Sequence, residues 1–138
     1  MRQHFVWLVE DTKKKKNFAI VKDIETQIGG EVKLIDWIYK HEHVDKEYIR
    51  QFLAFMDTEY GKKECIIFVF CDMLIITRKE DNKYCGHIDY MSCIINIINE
   101  TQYIIKDKQF SFVITDNDLN QNIRDIHHAK LKFNSTNI

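Results

Sequence analysis

The run Cys65-Ile66-Ile67-Phe68-Val69-Phe70 limits what this chain can fold into more than any other segment. It is continuously apolar and dominated by β-branched and aromatic side chains, the pattern of a central strand covered on both faces. The apolar stretch from Cys65 to Thr77 is broken by Asp72 and is far too short to cross a bilayer. A strand of this kind needs layers of structure on either side of it. The rest of the chain is read for elements that could supply them.

Phe5 to Val9 reads as a first strand, ending at Glu10-Asp11-Thr12. A basic run, Lys13 to Lys16, leads to Asn17 as a helix cap. Phe18, Ile20, Val21, Ile24 and Ile28 then follow at helical spacing, stopped by Gly29-Gly30. Val32 to Ile38 fits a second strand. Asp45, with Val44 before it, resembles the start of a helix whose apolar stripe is Tyr48, Ile49, Phe52, Leu53 and Met56, with Gly61 ending it. After the 64–70 strand come a short strand at Leu74–Thr77 and a turn at Glu80-Asp81-Asn82-Lys83. A third helix is expected from Asp89 to about Ile105, a strand over Phe110–Thr115, a short helix near Leu119–His127 and a last strand at Lys130–Phe133. Alternation of this kind predicts an α/β fold. Residues 1–138 would form a single-domain three-layer sandwich, its mostly parallel central sheet flanked by helices.

Composition adds bounds rather than a function. Apolar residues make up 45% of the 138, which excludes a disordered chain. Lys and Arg number 20 against 21 Asp and Glu, so net charge names no partner. No segment reads as a signal peptide or membrane span, which predicts a cytoplasmic protein with Cys65, Cys71, Cys85 and Cys93 reduced.

In open parallel sheets ligands bind beyond the carboxyl ends of the strands. On the expected topology that rim collects Glu10 or Asp11, Asp89, Asp116 and Asp118. Crowded carboxylates repel unless solvent, hydrogen bonds or a cation offsets the charge. Such a set suits Mg²⁺ or Mn²⁺, hard ions that take oxygen ligands and can activate water against a phosphodiester.

Asp89-Tyr90-Met91-Ser92-Cys93-Ile94-Ile95 and Phe112-Val113-Ile114-Thr115-Asp116-Asn117-Asp118-Leu119, with the first-strand acid of Val9-Glu10-Asp11-Thr12, resemble the PIN-like nucleases, particularly the NYN branch. The resemblance implies a metal-dependent ribonuclease. Asp11, Asp89, Asp116 and Asp118 would be its metal-binding and catalytic set, and RNA its substrate. Lys13, Lys14, Lys15 and Lys16 would grip the phosphate backbone. One departure is Lys14, which stands where that family usually carries Asn.

Each motif has a second reading. Asp89 can be a helix N-cap, Asp116-Asn117-Asp118 a turn held by Asx side chains, Glu10-Asp11 a solvated strand end, and the lysines a solvated loop. His41-Glu42-His43 and the Cys71, Cys85, His87 and Cys93 group lack the spacing of a zinc site. A phosphoreceiver reading, with Asp72 as acceptor, ranks below the nuclease. A different class also fits: a non-catalytic protein-binding module, such as a toxin-neutralising immunity protein or another regulatory partner, with its acids at an interface.

Overall fold

The computed structural model describes residues 16–17, 19–28 and 47–136. The expected strands 5–9 and 32–38, and the 41–43 His-Glu-His loop, lie outside these residues. The chain divides into two compact units, Met1–Tyr48 and Ile49–Ile138.

In the first unit, residues 16–17 and 19–27 are helical. Val21, Ile24 and Ile28 are buried, at the i, i+3, i+7 spacing that the sequence predicts. Asn17, expected as the cap, lies within the helical stretch, and its Oδ1 accepts a 2.8 Å bond from the Tyr48 amide.

Tyr48, the last residue of the first unit, begins β1 Tyr48–Thr58; the second unit holds the rest of that strand, β2 Gly61–Phe70, β3 Met73–Arg78, β4 Tyr84–Asp89, β5 Ile94–Ile97, β6 Gln102–Lys106, β7 Ser111–Thr115 and α1 Leu119–Thr136. The sheet order is β4-β3-β2-β1-β7-β6-β5. The recorded registers of β1 with β7, of β2, β3 and β4, and of β5, β6 and β7 are all antiparallel. The mostly parallel three-layer sandwich is therefore wrong. The 65–70 run is a strand buried along its length, as expected, but hairpins flank it instead of crossover helices.

Three local misreadings produce that difference. Residues 48–58 carry apolar side chains at helical spacing, yet burial alternates with period two: Phe52, Ala54 and Met56 face in, while Ile49, Leu53 and Phe55 stay exposed. Gly61 does not stop a helix. It opens β2 with φ of +100°, a conformation that favours glycine, and Thr58 Oγ1 closes the hairpin by a 2.6 Å bond to the Gly61 carbonyl. Residues 89–105 hold the end of β4, all of β5 and most of β6. Their isoleucines favour strands, and Asn99-Glu100-Thr101 is a turn in which Asn99 Oδ1 accepts the Thr101 amide at 2.9 Å. Residues 130–133, expected as a strand, continue α1.

The core lies between the inner faces of the strands and α1. Inward residues include Phe52, Met56, Ile67, Ile76, Ile88, Tyr103, Ile105 and Ile114, with Leu119, Ile123, Ile126 and Ala129 from the helix. Their spacing of four, three and three residues is one helical stripe. The sheet curls until β4 meets the β6–β7 hairpin. A Cβ on Gly86 would lie 2.7 Å from Phe110 and 2.8 Å from Phe112, so only glycine lets those rings rest on the β4 backbone. Nearby, the Asp89 amide donates to Asp107 Oδ2 at 2.9 Å.

Candidate functional site: the acidic positions and the exposed apolar strands

Among the described residues, the expected site residues do not form one cluster. Asp11 and Lys13 to Lys15 lie outside the described residues, and Lys16 is exposed. Asp89 is exposed at the end of β4, where its Oδ1 accepts the Met91 amide at 3.1 Å. This is Asx-turn chemistry at a strand end, with no helix to cap. Asp116 and Asp118 lie together between β7 and α1.

Asp116 is buried and has both carboxylate oxygens engaged. Oδ1 accepts the Asp118 amide at 2.9 Å, and Oδ2 accepts Asn122 Nδ2 at 2.8 Å. The Asp118 carbonyl in turn accepts the Asn122 amide, the first bond of α1. The pair thus fixes where the helix leaves the strand.

Asp89 and Asp116 stand at opposite ends of β6. Asp89 bonds to Asp107 just past the strand, and the Asp116 amide donates to the Thr101 carbonyl just before it. Six residues of extended chain separate those points, on the order of 20 Å. Among the described residues, no group of three or more His, Cys, Asp or Glu is placed to hold a metal ion. Asp72 sits buried between β2 and β3, in an antiparallel hairpin unlike the parallel rim that a phosphoreceiver needs.

Burial governs the titrating groups that are perturbed. It pushes the Cys65 thiol up to about 12 and raises Tyr90 and Tyr103 above the usual phenol range. The Tyr90 hydroxyl donates to the Phe70 carbonyl at 2.6 Å, tying the end of β4 to β2. Burial also works against the Asp107 carboxylate, but amides of Asp89, Phe110 and Gln109 outweigh it and hold its pKa below the ordinary value. These are structural roles.

The exposed apolar side chains were missed in the sequence. Ile49, Leu53 and Phe55 share the outward face of β1, and Tyr60 stands 85% exposed at the β1–β2 turn. A second group, Ile94, Ile97 and Ile98, lies on and just beyond β5, the edge of the described sheet. Ile49 and Leu53 had been assigned to the buried stripe of a helix, and residues 94–98 to the third expected helix. Period-two alternation in 52–56 is the signal that separates inward from outward residues.

No family model matches this chain, and no curated protein does. Solved structures do. The chain is similar to the linker-DH/PH domains of p115-RhoGEF in an N-terminally truncated form, with 9% identity and a TM-score of 0.66, over 97% of this chain and 44% of that one. It is also similar to the DH/PH domain of human ARHGEF11 in a ternary complex with human RhoA and its inhibitor: 11% identity, TM-score 0.61, 94% and 43% covered. A third match is the complex of PDZ-RhoGEF DH/PH domains with GTP-gamma-S activated RhoA, at 12% identity, TM-score 0.60, 95% and 44%. The shared feature is the fold, a PH-like antiparallel sheet. The chain spans less than half the length of these structures.

This likeness overturns the PIN/NYN resemblance. The hydrolase, RNA-binding and metal-dependent nuclease reading goes with it, because that reading required a parallel sheet whose carboxyl rim gathers the acids. No described helix is long and apolar enough to cross a membrane.

Proposed function

We propose that this chain is a non-catalytic protein-binding module with a regulatory role. The apolar strip on β1 carries the reading. Ile49, Leu53 and Phe55 are 42%, 51% and 42% exposed on one face of a strand whose opposite face is packed into the core. Exposed apolar side chains sharing one face of a strand, here interrupted by Gln51, are the chemistry of a docking surface. Solved structures of the same fold support the reading, since two of them contain RhoA beside the DH/PH domains. A cytoplasmic location belongs to the same proposal.

The test replaces Leu53 with a photo-cross-linking residue in the cells that make the protein, with exposed Lys62 on β2 as the control position. One discrete cross-linked protein partner from position 53, absent from position 62, supports the proposal. Equal, diffuse cross-linking from both positions overturns it.

A further inference from the structure

We infer that the edge of β5, open among the described residues, pairs with β5 of a second copy of this chain, making an antiparallel two-fold dimer. Three observations converge on that occupant.

The first is sequence symmetry. Ile94-Ile95-Asn96-Ile97-Ile98 reads the same in both directions. Antiparallel self-pairing centred on Asn96 therefore sets Ile94 against Ile98 and Ile95 against Ile97, twice, with the two Asn96 residues facing each other. Residues directly opposite in such a pair lie on the same face of the sheet, so like chemistry meets like. Two-fold interfaces require this self-complementarity.

The second is the phase of the hydrogen bonds. β5 pairs β6 with Ile94 opposite Lys106 and Asn96 opposite Ile104, and the Ile98 amide donates to the Gln102 carbonyl at 2.9 Å. In an antiparallel ladder bonded pairs alternate with non-bonded ones. Residues 94, 96 and 98 thus bond to β6, and the backbone groups of Ile95 and Ile97 point to the open edge. A dimer centred on Asn96 uses those groups alone: each Ile95 exchanges two bonds with the other copy's Ile97, four in all. A centre one residue away would require groups already committed to β6.

The third is charge. Lys130 of α1 places Nζ 2.6 Å from the Cys93 carbonyl, at one end of the open edge. Glu100, exposed, stands at the other end. Antiparallel pairing brings Glu100 of each copy to the Lys130 end of its mate, where Lys106 and Lys108 add charge; of the acids at that end, Asp107 is engaged by the Asp89 amide and two turn amides, and Asp89 accepts the Met91 amide. No charged residue lies on the strand itself to oppose contact.

A ladder this short buries less than a standard interface, so we expect self-association with Kd of about 0.01–1 mM. Sedimentation equilibrium of the full chain up to about 1 mM tests it. Asn96 is exposed, so its substitution leaves the fold intact. Asn96→Lys and Asn96→Glu each place like charges opposite across the two-fold axis, and each variant alone is expected to remain monomeric. An equimolar mixture of the two is expected to restore a dimer. In a separate variant, Asn96→Cys is expected to form a covalent dimer under mild oxidation, because facing Cα atoms in a non-bonded pair lie about 4.5 Å apart, within disulfide range. Ile98→Cys, about 13 Å from its symmetry mate, is not. A parent chain that stays monomeric would overturn the inference and leave the edge to an extended segment of another protein. So would an Asn96→Lys variant that dimerises like the parent.

Discussion

Nδ2 of Asn122 donates a 2.8 Å hydrogen bond to Oδ2 of Asp116, and both side chains are buried. The bond ties the exit of β7 to the first turn of α1, while the other Asp116 oxygen holds the Asp118 amide. Asn122→Ala is expected to lower stability by about 1.5–3 kcal/mol, since a buried charged acceptor loses its donor. Asp116→Ala, which removes both bonds, is expected to cost more. Urea unfolding followed by circular dichroism measures both, and equal, negligible losses would show that the pair does not anchor the helix.

Gly86 keeps the sheet closed. A methyl group there would collide with the rings of Phe110 and Phe112 at 2.7 and 2.8 Å. Gly86→Ala is expected to destabilise by about 1–3 kcal/mol. The same change in a Phe110→Leu background is expected to cost less, a coupling that a double-mutant cycle reads directly.

The Tyr103 hydroxyl is buried without a hydrogen-bond partner, while its ring is fully packed. Tyr103→Phe keeps the ring and removes the stranded polar group. Stability is expected to rise by about 1 kcal/mol, as seen in a higher urea midpoint with an unchanged slope.

Asp107 makes part of the acid sensitivity. Folding lowers its pKa, so its contribution is complete above the unfolded value of about 3.9 and disappears as pH falls through the lower folded value. The parent should lose stability below about pH 4, and Asp107→Asn should lose less over the same interval. Thermal melts between neutral and acidic pH compare the two. Identical slopes would assign the acid loss to other carboxylates.

How much of this could be read from the sequence differs by segment. The 65–70 strand, the neighbouring strand at 74–77, the turn at 80–83 and the strand ending at Thr115 were all legible, because each is bounded by turn residues and one pattern dominates it. The 48–58 and 89–105 segments were not. Their apolar residues satisfy a 3.6-residue period by coincidence, since apolar side chains on both faces of these strands blur the alternation. Once those two segments are read as helices, hairpins become crossovers and an antiparallel sheet becomes a parallel one. The acids then collect on an imagined rim. Asp116 and Asp118 were correctly seen as neighbours at a strand exit, and the Asx-turn alternative describes the bonds they make. The distance from Asp89 to Asp116 depends on topology alone, and no local motif carries it.

The strand pairing of residues 94–106 decides between these two architectures, and nuclear Overhauser contacts on the labelled chain test it. Ile95 opposite Ile105 and Ile97 opposite Tyr103 are non-bonded antiparallel pairs, with Cα atoms about 4.5 Å apart, so their α-hydrogens should show strong cross-strand contacts. Continuous amide-to-amide contacts through residues 89–105, with those cross-strand signals missing, would restore a helix there and contradict the PH-like sheet.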